Sequence, residues 1–464
     1  MTTRSDELKV QPVSNPSGLA APDYVRGTTV TSLLRRCGKV AAVAAYRSAR
    51  VGWHAAASRL RPQDIDQAGS FPRQLRLALE ELGPTFVKLG QILSSRSDIT
   101  PPQLQKELSK LRDHAPSIPQ AKLVAELERS LGSKSSALFA TLEVAPTACG
   151  SIAQVHKGTL HNGQLVAVKV RRPGVSTDIA TDVWLLRKLV RVVASLSSRV
   201  RSYNPVAILD EFSSLLHAET DFITEAGNLE AVRRTFLGND AVVIPRVLTD
   251  VSGESVLVMD WIEGIPLSSP GRLEEVGANR AGLARAILQA YGAMIFQADR
   301  FHADPHPGNL IAIEGGRLGL VDFGEVGSVT SAERAALFGM VTAVLGRDGE
   351  ALAGAVLSVS RTTRPVDRTE FGLQLATLLE PVADASLKDA RLGEVLSRLL
   401  HLLRTYGLVL PSDLAILIKT LIVCEATTNE LDPTMSMLTL VGELGAFMAP
   451  DATSRKASLS ESSD

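Results

Sequence analysis

"FHADPHPGNLIAIEGGRLGLVDFG", residues 301–324, sets an Asp, an Asn and a second Asp around two short apolar runs joined by Gly-Gly. The runs 310–314 and 317–321 alternate apolar with other residues, which is the period of a strand. Gly315-Gly316 between them suits a two-residue hairpin turn, where positive φ is needed. In that register Glu314 faces Arg317, and Asn309 falls opposite Asp322. Directly opposed residues hold their Cβ atoms ~5 Å apart. One Mg²⁺ can be shared over that reach, since it takes hard oxygen ligands and keeps several waters. The first expectation is a metal site at the open end of a hairpin, held by Asn309 and Asp322.

The same stretch orders its polar groups. Asp304 stands five residues before Asn309, and Asp322 thirteen after it, opening Asp322-Phe323-Gly324. Protein kinases carry H-R-D-L-x-x-x-N followed by D-F-G; here His302-Ala303-Asp304 takes the first place. The chemistry needs one carboxylate to orient or deprotonate the attacking hydroxyl or water. It also needs an Asn and an Asp to hold Mg²⁺, so that the leaving phosphate's charge is neutralised. A rival reading takes His302 and His306 as zinc ligands. That spacing works on a helix, and Pro305 and Pro307 argue against a helix there.

Upstream, "VAVKV" (166–170) puts Lys169 inside an apolar strand, where a lysine needs a partner or an anionic ligand. Before it, "PTACGS" (146–151) links two strand-like runs with small side chains, which let backbone N–H groups approach a phosphate. Asn162-Gly163 between runs 152–160 and 164–171 is a hairpin signal. Downstream, residues 205–237 read as one helix, with Leu215, Phe222, Leu229 and Phe236 recurring every seven. It carries Glu219, Asp221 and Glu225. A strand lysine facing a helix glutamate is how a kinase holds the α- and β-phosphates of ATP. "ESVLVMD" (254–260) reads as a buried strand, and 326–448 is almost wholly helical in pattern.

Together these motifs resemble the UbiB family of atypical kinases, also called the AarF or ADCK family. The resemblance covers roughly residues 75–435. Its specific marks are "FVKLGQILSSRSDITP" (86–101), "SIAQVH" (151–156), "ETDFITEAGN" (219–228), "FHADPHPGN" (301–309) and "VDFG" (321–324). Lys88-Leu89-Gly90-Gln91 matches the family's own signature. The resemblance implies a bilobal α+β, protein-kinase-like fold with an N-terminal helical extension over the active-site groove and a mostly helical C-lobe. By matching position, Lys169 would hold ATP phosphates and pair with Glu225, Asp304 would be the catalytic carboxylate, and Asn309 and Asp322 would carry Mg²⁺. Lys88 and Gln91 would project toward the nucleotide, with Glu219 and Asp221 docking the extension. Ala148, Cys149, Gly150 and Ser151 would form the nucleotide loop. Met259 would back the adenine pocket, with the backbone from Asp260 to Ile262 bonding the base. The family loop is usually alanine-rich, so Cys149 and Gly150 are departures; Gly150 frees φ there.

The expected divisions are a polar tail at 1–24, a basic amphipathic helical segment at 25–72 and the extension at 73–136. The N-lobe follows at 137–265, the C-lobe at 266–450 and a second tail at 451–464. A net charge of −1 over 464 residues gives no whole-protein argument for nucleic acid. Cys37, Cys149 and Cys424 lie too far apart for a C-x-x-C set, which points to a reducing compartment. No uncharged apolar run has the 18 or so residues that span a bilayer, and residues 1–23 do not resemble a signal peptide. The expected location is the cytoplasm, with peripheral contact on the inner face of the membrane. Residues 25–63 hold eight Lys/Arg and no acid. Arg35, Arg36, Lys39, Arg47 and Arg50 fall within about a third of a helix circumference, a face that suits anionic lipid.

The function expected from the resemblance is a Mg²⁺-dependent ATP-binding kinase or ATPase supporting isoprenoid quinone or related lipid metabolism. Its partners would be ATP, an isoprenoid lipid or membrane surface, and lipid-biosynthesis enzymes. A Ser/Thr protein kinase and a nucleotide-binding scaffold without turnover are the rivals. No A-P-E element follows Gly324, which argues against an ordinary peptide-docking loop.

Overall fold

The computed structural model describes residues 30–60, 70–95, 100–111, 117–132, 135–196, 205–362, 364–384 and 392–435. The expected tails at 1–24 and 451–464 lie outside them. Six helices lead: α1 (Val30–Leu60), α2 (Phe71–Leu82), α3 (Pro84–Ser95), α4 (Pro102–Leu108), α5 (Gln120–Leu131) and α6 (Ser135–Leu138). Gly83, at φ 104°, ends α2, and Pro84 opens α3, where its missing N–H costs nothing. Helix α3 is a wedge between two apolar clusters. Phe86, Val87 and Leu93 face the cluster of α1, α2 and α4, while Leu89 and Ile92 face a second one. A Cβ at Gly90 would stand 2.3 Å from Leu111 Cδ1 and 2.8 Å from Leu79 Cδ1. Close helix packing therefore accounts for a glycine there.

The N-lobe sheet joins β1 (Phe139–Leu142), β2 (Ala148–Cys149), β3 (Ala153–Leu160), β4 (Leu165–Arg171) and, later in the chain, β6. Helices α7 (Val175–Leu196), α8 (Pro205–Thr220) and α9 (Phe222–Thr235) intervene, with short β5 (Val242–Val243) before β6 (Val256–Asp260). The order is β1-β3-β4-β6, with β2 on β3, all antiparallel. Strand alternation then decides which way the lysine points. Val166, Val168 and Val170 face a core shared with Leu123, Leu127, Val256 and Val258. Each such side chain contributes up to about 1.5–3 kcal/mol. Ala167 and Lys169 must point to the other face.

The C-lobe holds β7 (Ile265–Pro266), α10 (Arg280–Gln297), β8 (Arg300–His302), β9 (Leu310–Ile313), β10 (Arg317–Leu320) and β11 (Val326–Ser328). A helical array completes it: α11 (Ser331–Leu345), α12 (Gly349–Val359), β12 (Arg361–Thr362), α13 (Arg368–Asp384), α14 (Leu392–Thr405), β13 (Leu408–Val409) and α15 (Ser412–Leu431). The fold is bilobal α+β with a helical extension.

Three sequence expectations change. The 310–320 hairpin pairs Ile313 with Arg317 and Leu310 with Leu320, so its loop is the three residues Glu314–Gly315–Gly316. Both glycines take positive φ, 79° and 77°, and the register moves by one. The one helix expected over 205–237 is two. It breaks at Asp221, and the buried positions shift phase: Leu209, Phe212 and Leu216 line α8, while Phe222, Leu229 and Phe236 enter the main core. Finally, α1 does not keep its five cations on one free face. Arg36 donates to both carboxylate oxygens of Asp182 at 2.6 Å and to Leu82 O at 2.9 Å. Arg47 reaches Glu81 at 2.9 Å. Arg35, Lys39 and Arg50 stay exposed.

Candidate active site

Lys169 leaves the inner face of β4 and meets carboxylates from both lobes. Its Nζ donates to Glu225 Oε1 at 2.6 Å and to Asp322 Oδ1 at 2.9 Å, with the Phe222 ring centroid at 5.4 Å. The side chain is only 11% exposed. Burial would lower its pKa, but the charges of Asp322 and Glu225 outweigh that and hold it above the usual lysine range. Burial, reinforced by the nearby Asp322 charge, pushes Glu225 up to about 7, against the opposing pull of Lys169. The Lys169 charge holds Asp322 below the ordinary carboxylate range.

Asp322 lies just past the β9–β10 hairpin. Val321 N donates to Asn309 O at 3.0 Å, so Asn309 faces Val321 and Asp322 is the next residue out. Asp322 has φ 62°, a conformation that Asp tolerates better than most residues, and its side chain is 51% exposed. Asn309 is buried and turns its amide NH₂ to Asp304, donating to Oδ2 at 3.1 Å and to O at 3.2 Å. The Asn309 amide oxygen and the Asp322 carboxylate are hard-oxygen donors that fit Mg²⁺. The Asp304 side chain is 37% exposed, open enough to meet a hydroxyl or water.

Under this row His302 takes a part that its place in the motif did not announce. His302 Nε2 is 3.0 Å from Val321 O, and its Nδ1 is 3.1 Å from Tyr291 Oη and 3.3 Å from Asp304 N. A carbonyl accepts only from N–H, so the proton sits on Nε2, and Nδ1 accepts from Tyr291 and Asp304. One buried imidazole thus ties the backbone of Asp304 to that of Val321. The Phe323 ring packs edge-on to it at 4.9 Å. Tyr291 had no sequence signal beyond its place in an apolar helix. Pro305 and Pro307 lie in an extended turn, outside any helix, so His302 and His306 do not share a helical face as zinc would need.

The loop at 148–151 is tighter than expected. Ala148 and Cys149 pair with Val155 and Gln154, Gly150 N donates to Ala153 O at 2.9 Å, and Ser151 is buried. Gly150 does not use its freedom: its φ is not positive, and a Cβ would meet only Ala153 O at 3.5 Å. Arg172, also unforeseen, fastens the loop by donating to Gly150 O at 2.9 Å and Cys149 Sγ at 3.1 Å.

Helix α3 ties the extension to α8. Lys88 forms an ion pair with Glu219 at the end of α8. Gln91 donates to Leu111 O at 3.5 Å, inside the extension. Asp221 does not serve as a docking acid: it caps α9, accepting from Ile223 N and Thr224 N at 3.1 Å. Met259 is buried in β6 opposite Ala167. The hinge amides differ from expectation. Asp260 N donates to Arg246 O and Trp261 N to Leu165 O, so neither is open to a base, and Ile262 is the remaining amide of the three.

Residues 110–356 match the ABC1 atypical kinase-like domain, and 375–436 match the UbiB helical domain. A curated probable protein kinase UbiB of Marinobacter nauticus is 34% identical over 368 residues, covering 78% of this chain and 67% of that one. Among solved structures, a Mycobacterium tuberculosis protein in complex with erythromycin is similar with a TM-score of 0.56. It is 24% identical, over 80% of this chain and 94% of that one; this likeness speaks for the fold alone.

Proposed function

The chain belongs to the UbiB family of ABC1-type atypical kinases, and from that premise we propose that it binds ATP with Mg²⁺ between its lobes. There it hydrolyses or transfers the terminal phosphoryl group in support of isoprenoid quinone synthesis. The observation that carries the reading is Lys169 bridging Glu225 and Asp322 across the cleft. Nucleotide phosphates entering the cleft take over the bond that Lys169 now gives Asp322, while Glu225 keeps the ammonium aimed. Asn309 and Asp322 hold Mg²⁺, which when bound offsets the charge of the leaving phosphate. Asp304, oriented by Asn309 and the His302 network, receives the proton of the attacking hydroxyl or water. Met259 and the Ile262 amide take the base, and the 148–151 backbone lies over the phosphates.

Membrane contact in this reading is peripheral. No helix among the described residues is long and apolar enough to cross a membrane. The α1 face bearing Arg35, Lys39 and Arg50 also exposes Tyr46 and Trp53, and cations with amphipathic rings suit an anionic headgroup layer.

The test is labelled ATP and Mg²⁺ with and without lipid vesicles, beside Asp322→Asn and Lys88→Ala. Free phosphate that disappears in Asp322→Asn supports the ATPase form. Label on an added protein supports a Ser/Thr protein kinase. Bound ATP with neither product makes the chain a scaffold and overturns the enzymatic reading.

A further inference from the structure

Helix α7 is packed along its first half and exposes one apolar face along its second, where Val190 still packs on the core. Ile179, Ala180 and Val183 are buried, Ile179 and Val183 against Phe212 and Leu216 of α8. Asp182 lies beneath Arg36 of α1, and Leu186 closes on the α1–α2 cluster. Beyond that crossing Leu189 is 53% exposed, Val192 56%, Val193 39% and Leu196 82%. They stand at i, i+3, i+4 and i+7, an arc of about 100° on the helix. This spacing normally faces a core, yet here it faces outward. A contiguous apolar stripe of this kind marks an interaction site.

The charge around it chooses the partner. From 183 to 196 the chain has three Lys/Arg and no Asp or Glu. Arg187 pairs with Asp210 on α8, while Lys188 is exposed next to the edge of the stripe and Arg191 is exposed farther round the helix. Helix α1, joined to α7 by the Arg36–Asp182 pair, is also free of acids. A partner protein helix would ordinarily be met by charges of both signs flanking the apolar seam. Cations alone beside an apolar stripe suit the interface of an anionic bilayer, with side chains below the headgroups and ammonium groups level with them.

We propose that the C-terminal half of α7 seats in an anionic lipid surface, inserting Leu189, Val192, Val193 and Leu196 beneath the level of Lys188. This takes its partner class from the peripheral-membrane part of the reading above and depends on nothing in the phosphoryl chemistry.

The experiment floats the full-length protein with vesicles of phosphatidylcholine alone and of phosphatidylcholine mixed with phosphatidylglycerol. Wild type should partition onto the mixed vesicles, and Val192→Asp/Leu196→Asp should lower that partition about tenfold or more. Leu196→Trp, which tests the site without adding charge, should tighten partition and add a blue-shifted emission component on mixed vesicles. An α1 variant, Arg35→Glu/Lys39→Glu, separates the two readings. Loss of flotation in the α1 variant with the α7 aspartates floating as wild type overturns the α7 seat and leaves the α1 contact standing. Wild type that fails to float, or floats equally on neutral vesicles, overturns the anionic surface for both helices. A wild-type dimer by light scattering that the aspartates make monomeric, with flotation unchanged, assigns the stripe to a second copy of the chain and also overturns the proposal.

Discussion

Lys169, Glu225 and Asp322 form a unit whose charges are set by each other. Glu225 takes up its proton more readily in the folded chain, at about 7, than at its ordinary 4.5. Its contribution to stability is therefore full below 4.5 and lost as pH rises through about 7. Asp322 has the opposite sign: its contribution is present above the ordinary carboxylate range and lost as pH falls through its depressed value. Lys169→Met removes the cation that makes ionised Glu225 tolerable in a buried position. Stranding a buried charge costs about 3–5 kcal/mol, so urea unfolding at pH 8 should show a loss of that order. The loss should shrink at pH 5, where Glu225 is protonated. Glu225→Gln in the same background should recover most of it. An equal loss at both pH values would mean that packing, and not the unpaired carboxylate, sets the cost.

Two glycines at strand ends look alike in the sequence and differ in what they support. Gly150 follows β2 in ordinary space, so Gly150→Ala should be accepted and should narrow the unfolded ensemble by about 0.4–1 kcal/mol. Gly264 precedes β7, where a Cβ would stand 2.5 Å from Ala312 O and 2.6 Å from Ile311 Cγ2. Gly264→Ala should cost about 1–3 kcal/mol by forcing β7 off β9. Thermal midpoints that move the same way for both would contradict these contacts. The elements show what the sequence could carry. The N-lobe strands, the lysine's direction and the order of the acidic motifs were legible, because period-2 alternation and short motifs act locally. The hairpin register was not, since a Gly-Gly loop closes with two or three residues equally well in the sequence. The break at Asp221 was hidden by a heptad of apolar residues running across it. The His302–Tyr291 tie joins α10 to the hairpin by contacts that no local pattern announces.

At the scale of the whole molecule, the extension is fastened to the lobes by a few polar links laid over apolar ones. Lys88 of α3 meets Glu219 at the end of α8. Between α1 and α7, Arg36 is the one cation among the described residues that pairs with Asp182, which is fully buried. These links differ in consequence. The Lys88 pair is partly solvated, so its loss costs little stability. Arg36→Ala leaves the Asp182 carboxylate enclosed without a counter-charge, at a cost of about 3–5 kcal/mol. The relief available to the chain is local: α1 can lift from α7 and admit water to Asp182, while the sheet core of Val166, Val168 and Val170 stays closed. Hydrogen exchange should then speed up in α1, α2 and the middle of α7, with β3 and β4 protected as in wild type. Asp182→Asn combined with Arg36→Ala should restore slow exchange in α7, because the amide needs no cation. Faster exchange spread evenly over both lobes would show instead that the extension and the lobes unfold as one unit.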